Sequence, residues 1–393
     1  MGKDSLNKIN PNRLFDYSQE NHDSFSSFND VLNSGEFFRY REDGVVSKSC
    51  KLEEQLAAYV GQEACMLVCN GTTGLEVALW AVGVRPGDRV LVSAYSYIAS
   101  SLAVVNIGAM PIPLDMGSDL SVSIPAEHIA QESISAAVVV HIQGHAIDFR
   151  DFFRWCEDRK VPIVEDICQA FGAIDVEGHR TGSIGCLSVT SFQQSKQLCA
   201  GEGGAIFGSE QLIRRIRSRV DLGAVRTSGG LPRWDLPESG PGNNRRLSEL
   251  QAALVLDQFE RLPLTLEVQQ SNRMILWEAS NFVSGNVSRT RSWPDTGSHT
   301  LFLAHTNDSA QHFIEVLHRH GVHSYVVWPV PFPEHPVYDR ILTEVDWDAS
   351  MYSSVSSFSR RMISIPTPKY LTKEDAESIG TIVRKLRNDV TEG

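Results

Sequence analysis

The sequence has no surplus of positive charge: 36 Lys and Arg stand against 48 Asp and Glu, a formal net charge of −12 over 393 residues. An acidic chain without a basic block is a poor partner for a phosphate backbone, so nucleic-acid binding is set aside. Its one basic cluster, Arg214, Arg215, Arg217 and Arg219, reads as the solvated face of a helix. No apolar run approaches the ~20 residues that span a bilayer. The amino-terminal "MGKDSLNKINPNRLF" also lacks the apolar stretch of a signal peptide, and Leu6 stands where N-myristoylation prefers Ser or Thr. The expectation is a cytoplasmic protein without a membrane partner. The seven cysteines (Cys50, Cys65, Cys69, Cys156, Cys168, Cys186 and Cys199) are odd in number and lie in apolar segments. That pattern argues against a disulfide framework and for reduced core thiols. Internal repeats and low-complexity runs are lacking too.

What is present is an enzyme-like balance, 42% apolar and 21% charged, in a chain long enough for a large domain and a smaller one. Residues 1–35 are polar and read as an amino-terminal arm lying over another element. Residues 36–262 alternate helical and strand patterns, which predicts an α/β domain with a mostly parallel sheet between helices. The strand candidates are "RVLVSA" (89–94), "AAVVVHI" (136–142), "VPIVED" (161–166), "LSVTSF" (187–192) and "GAIFG" (204–208), all read as buried parallel strands. "GLEVALWAVG" and "DFRDFFRWCEDRK" read as helices between them, the second with Phe149, Phe152, Phe153 and Cys156 on its core face. A Gly/Pro-rich interval at 223–244 is too long for a passive connection and predicts a functional loop or dimer contact. Residues 263–393 read as a small carboxy-terminal α+β domain.

Three stretches carry chemistry. In "CNGTTGLEVAL", Gly71 permits a tight turn, and Thr73 with Glu76 has capping-box spacing, so a helix begins there with free N–H groups that suit a phosphate. In "VPIVEDICQAFGA", Asp166 closes an apolar strand, at the end where parallel sheets place ligands. In "TSFQQSKQLCAGEGGA", Lys196 is a lone ammonium beside glycines, where desolvation favours the neutral amine that forms a Schiff base. Taken singly, each has a plain structural explanation: a capped helix, a turn-capping carboxylate, a surface lysine. In combination, an anchor for phosphate, a partner for a pyridinium nitrogen and a Schiff-base lysine are what pyridoxal 5'-phosphate requires. Tyr95 and Tyr97, in "SAYSYIAS", are candidates to stack on its ring.

At these residues the sequence resembles the DegT/DnrJ/StrS family of sugar aminotransferases, of fold type I within the aspartate aminotransferase superfamily. The resemblance runs in family order through "NGTTGLEVALWAVGVRPGDRVLVSAYSYIASSLAVVNIGAMPIPLDM", "VVVHIQGHAID", "IVEDICQAFGA", "TGSIGCLSVTSFQQSKQL", "GEGGAIF" and "NNRRLSELQAALVLDQFERL". It implies Lys196 as the Schiff-base lysine and proton shuttle, Asp166 at the pyridine nitrogen, Gln169 near the ring hydroxyl and Tyr97 on the ring face. Gly71, Thr72 and Ser191 would hold the phosphate. Asn244 would reach the phosphate of a neighbouring subunit, making a homodimer with composite sites. The glycines of "AGEGG" would let backbone pass close to the cofactor.

Departures cluster around the substrate. Trp328 and Pro333 in "WPVPFPEHPVY" replace the family's tyrosine and histidine, with His335 two residues on; Gln143 and Arg245 stand where tyrosines are common. The leading expectation is transfer of an amino group from glutamate or glutamine to a keto-sugar or related carbonyl compound. The alternative keeps the cofactor but performs elimination or cyclisation on a free amino acid. Such a substrate needs a cation for its carboxylate, with Arg39, Arg41, Arg226 and Arg245 as candidates. A third reading is a catalytically silent binding homologue. The His318, His320 and His323 group lacks a matching carboxylate arrangement, so no metal is expected.

Overall fold

Short β-branched runs separated by amphipathic helices can bury both faces of a sheet only if helices cover it. A computed structural model describes residues 25–40, 45–125, 133–227, 230–280, 295–341 and 347–386. Seven strands form its main sheet: β1 (Ala64–Val68), β2 (Arg89–Ser93), β3 (Met110–Leu114), β4 (Ala136–Val140), β5 (Ile163–Asp166), β6 (Leu187–Ser191) and β7 (Gly204–Gly208). Their order is β1-β7-β6-β5-β4-β2-β3. All five expected runs are strands, and β2 to β6 pair in parallel as expected. β7 does not: it runs antiparallel to both β6 and β1. The connection from β6 to β7 contains no crossover helix, so the chain returns beside the strand it has just left. Alternation sends Cys65, Leu67, Ala205 and Phe207 to one face of the sheet and Met66, Val68 and Ile206 to the other, each face with its own apolar core.

The first helices are α1 (Ser26–Ser34), α2 (Lys48–Val60), α3 (Gly71–Ala81), α4 (Ala99–Asn106), α5 (Arg150–Arg159), α6 (Glu210–Val220) and α7 (Glu249–Phe259). The described part of the expected arm is α1, laid on α7; residues 1–24 lie outside the described residues. Phe25 offers α1 no capping side chain, and Asp257 of α7 takes that role by accepting the N–H groups of Ser27 and Phe28, each at 3.0 Å. The 223–244 interval contains a hairpin of β8 (Val225–Arg226) and β9 (Pro232–Arg233).

Helix α3 packs on β6 and β7 so closely that a Cβ on Gly74 would lie 2.7 Å from Val189 Cγ1. Gly74→Ala is therefore expected to cost about 1–3 kcal/mol through overpacking. A thermal or denaturant melt checks this; an unchanged midpoint would show that α3 can shift freely.

Beyond α7 come α8 (Leu262–Ser280), β10 (His299–Leu303), α9 (Asn307–Arg319), β11 (Tyr325–Val326), β12 (Met362–Pro366) and α10 (Lys373–Lys385). The strands form a separate antiparallel sheet, β10-β12-β11. α8 and α10 pack together, and Leu276, Phe302, Phe313, Ile363 and Val383 share their core. None of the seven cysteines is in a disulfide; Cys65, Cys156 and Cys199 are buried, whereas Cys50 and Cys186 are exposed and depart from the core expectation. No helix among the described residues is long and apolar enough to cross a membrane.

Candidate active site

The carboxyl ends of β5 and β6, the amino end of α3 and residues of both outer strands of the smaller sheet enclose a cavity of about 770 Å³. Asp166, Lys196, Gly71, Thr72, Tyr97, Gln169 and Ser191 all line it. Asp166 ends β5 only 5% exposed; Ser100 Oγ donates to its Oδ2 at 2.7 Å and the Cys168 N–H to its Oδ1 at 3.1 Å. These bonds fix the orientation of the carboxylate.

The amino end of α3 is built differently from the sequence expectation. Its N-cap is Asn70, whose Oδ1 accepts the Thr73 N–H at 2.8 Å. Glu76 does not close a capping box: it ion-pairs with Arg245 at 3.1 Å and accepts from Asn106 at 2.9 Å. The N–H groups of Gly71 and Thr72, one step ahead of the capped position, have no protein acceptor among the described residues. Gly71 also closes a cradle, because a Cβ there would lie 3.0 Å from Cys168 Sγ and 3.1 Å from Ser191 Cβ.

Lys196 sits in a turn in which its N–H donates to Gln193 O at 2.9 Å, and Gln193 Oε1 in turn accepts from the N–H and hydroxyl of Ser195. Its amine makes no hydrogen bond or ion pair among the described residues. Burial pushes the ammonium below the ordinary lysine range, against the opposing pull of Cys168 and Asp166. Of the neighbouring glycines, Gly204 makes room for backbone. A Cβ on Gly204 would meet Thr190 O at 2.7 Å and Gly71 N at 3.0 Å, so the glycine lets β7 pass the start of α3.

Of the two candidate tyrosines only Tyr97 is at the cavity, 57% exposed. Tyr95 is wholly buried against Trp328 and Phe358 and donates to Val327 O at 2.8 Å, so it stacks on no ligand. Gln169 Oε1 accepts from the backbone and side chain of Gln143 at 3.2 and 3.3 Å. Gln143 holds a left-handed backbone, φ 50°, and its Oε1 accepts from Tyr325 at 3.1 Å, joining the segment after β4 to the smaller sheet. Asn244 is exposed, pairs with Asp221 and does not line this chain's cavity.

Sequence reasoning missed His299, Ser100, Gln193 and Ser195 on the lining. His299 arrives from β10, about a hundred positions after Lys196, and nothing local marks it. The arginine candidates are committed elsewhere: Arg39 to buried Glu53 at 2.8 Å, Arg226 to Asp221 at 2.9 Å and Arg245 to Glu76. Arg41 lies outside the described residues. Of the three histidines of "HRHGVH", His318 bonds Ser324 O and stacks on His323, which faces the cavity, while His320 bonds Val316 O. His335 is absent from the lining, while Trp328 is on it.

A curated relative, L-glutamine:2-deoxy-scyllo-inosose aminotransferase of Streptoalloteichus tenebrarius, is 34% identical over 241 residues, 59% of this chain and 56% of that protein. The chain thus spans little more than half the length of that relative. dTDP-3-amino-3,4,6-trideoxy-alpha-D-glucose transaminase of Streptomyces venezuelae is 30% identical over 344 residues, 85% of each chain. Among solved structures, DesV of S. venezuelae superposes with a TM-score of 0.78 at 25% identity, covering 92% of this chain and 94% of its own. The family profile itself matches residues 18–384, and the chain belongs to the DegT/DnrJ/EryC1/StrS aminotransferase family.

Proposed function

We propose that this chain is a pyridoxal-phosphate-dependent aminotransferase that takes an amino group from glutamine or glutamate and delivers it to a keto-sugar or related polyhydroxylated ketone. It would act as a cytoplasmic homodimer, with residues 36–262 as the cofactor-binding domain and 263–393 as the small domain. Aminotransferases of this family use pyridoxal phosphate in general. The observation that carries the reading is the buried amine of Lys196, without an ion pair, in one cavity with Asp166 and the open start of α3.

The residues present fit the cofactor. The Gly71 and Thr72 N–H groups and the Ser191 hydroxyl suit a phosphate, in a cradle that a side chain at Gly71 would fill. Asp166 suits a protonated ring nitrogen, Gln169 and Tyr97 suit the ring, and Asn244 would serve the partner's phosphate across the dimer. When bound, the cofactor supplies a carbonyl carbon to carry the amino group and a ring to accept the electron pair released as a C–H bond breaks. Lys196, deprotonated more readily than a surface lysine, would take that proton and return it to the carbon on the other side of the transferred nitrogen. Asp166, oriented by Ser100, keeps a positive charge at the ring nitrogen favourable throughout.

The remaining wall suits a ketone acceptor: Gln143, Gln169, Gln193, Ser195 and Tyr325 offer uncharged donors and acceptors that match hydroxyl groups. The relatives that act on an inosose and on a dTDP-sugar support the same acceptor class. The test is the absorbance of purified protein with pyridoxal phosphate before and after L-glutamine or L-glutamate, without acceptor. Conversion of the cofactor to its amine form is expected; persistence of the starting spectrum with both donors, and product release from another amino acid, would overturn the reading.

A further inference from the structure

His299 lines the cavity from the first residue of β10, opposite in origin to everything that Asp166 and Lys196 are built on. A chain of hydrogen bonds leads to it. The Thr296 N–H donates to Gly144 O at 2.9 Å, Thr296 Oγ1 donates to Ser298 Oγ at 2.8 Å, and Ser298 Oγ meets His299 Nδ1 at 2.9 Å. Ser298 Oγ, having accepted from Thr296, keeps its own proton free to donate to Nδ1, an arrangement that leaves the ring hydrogen on Nε2. Burial, with the nearby His145 and Lys196 opposing a further cation, pushes its pKa down to about 3, so the ring stays neutral at working pH. His145 is itself held by Asp295 at 3.2 Å, and Asp295 by Arg273.

We propose that His299 is a specificity-determining residue: its neutral Nε2–H donates to an oxygen of the carbonyl acceptor and positions that substrate beside Lys196. This rests on the aminotransferase reading. A neutral donor suits an uncharged carbonyl or hydroxyl oxygen, where a charged imidazolium beside Lys196 would prefer an anion. Because His299 belongs to the smaller sheet, the acceptor would bridge the two sheets while the proton-transferring amine stays on the larger one.

Two measurements on the full-length holoenzyme test the idea. Nitrogen-15 histidine NMR, assigned against His299→Leu, should show a neutral Nε2–H ring between about pH 6 and 8; an imidazolium, or hydrogen on Nδ1, overturns the proposal. In steady-state kinetics with L-glutamine and 2-deoxy-scyllo-inosose as probe acceptor, His299→Leu should raise the acceptor KM about tenfold while kcat changes far less. His299→Gln, which keeps an N–H donor, should recover part of the loss. An unchanged acceptor KM, or equal losses in the glutamine-driven half-reaction and in acceptor amination, sinks the proposal for His299. Failure of wild-type protein to undergo the glutamine half-reaction at all sinks the aminotransferase reading instead.

Discussion

Lys196→Ala is expected to lower turnover by about a thousandfold or more, since it removes both the covalent attachment point and the proton-transferring amine from the cavity. Single-turnover rates at saturating pyridoxal phosphate are the measurement, and an alanine variant within tenfold of wild type would remove Lys196 from the chemistry. The same side chain carries a second, cofactor-free signature. Its folded pKa lies below its unfolded value, so between the two the unfolded chain binds more protons. Burying the ammonium therefore destabilises the apoprotein most at low pH, and the penalty fades as pH rises through the folded pKa toward about 10.4, the ordinary lysine value. Apoprotein Lys196→Met should accordingly be more stable than wild-type apoprotein near neutrality, with the gap closing at alkaline pH. A constant gap across that range would show that desolvation of the amine is not its origin.

Much of this was legible because the relevant signals are local. β-branched runs mark β2, β4, β5 and β6 without help from the rest of the chain, and the strand ends place Asp166 and Ser191 at one edge. Lys196 is singled out by its uncharged surroundings, and the ordered motifs tie it to a family. Direction and partnership are not local. β7 has the composition of a parallel strand and is antiparallel, because pairing depends on the length of the preceding loop and on β1, an all-apolar run without helical or strand periodicity. Thr73 and Glu76 have the right spacing for a cap, yet Asn70 wins the N–H and Arg245, from a segment far along the chain, claims Glu76. Tyr95 and Tyr97 look alike in sequence; two residues apart on a twisting segment, one fills the core and the other faces the cavity. His299 shows the limit most clearly, since its significance depends on a second sheet folding back over the first.

Glu165 and Asp166 also look alike in sequence, and the largest stability effect is expected at the first of them. Consecutive strand residues project to opposite faces. Asp166 enters the cavity, whereas Glu165 is fully buried and accepts the N–H groups of Gly182 at 2.9 Å and Ile184 at 2.8 Å, the Gly185 N–H, and a contact from His141 Nε2 at 2.9 Å. It pins the segment between β5 and β6 to the sheet. Glu165→Ala should cost about 3–5 kcal/mol, because several buried donors lose their acceptor together. Asp166→Ala should cost the apoprotein about 1 kcal/mol, as Ser100 and Cys168 each lose one bond at a cavity that water can enter. Its effect on turnover should be about a hundredfold or more, through loss of the charge facing the ring nitrogen. Denaturant titration and single-turnover kinetics on both variants separate the two roles. If Asp166→Ala unfolds as readily as Glu165→Ala, or if Glu165→Ala folds normally and loses only turnover, then strand alternation is not what divides these adjacent carboxylates between scaffold and chemistry.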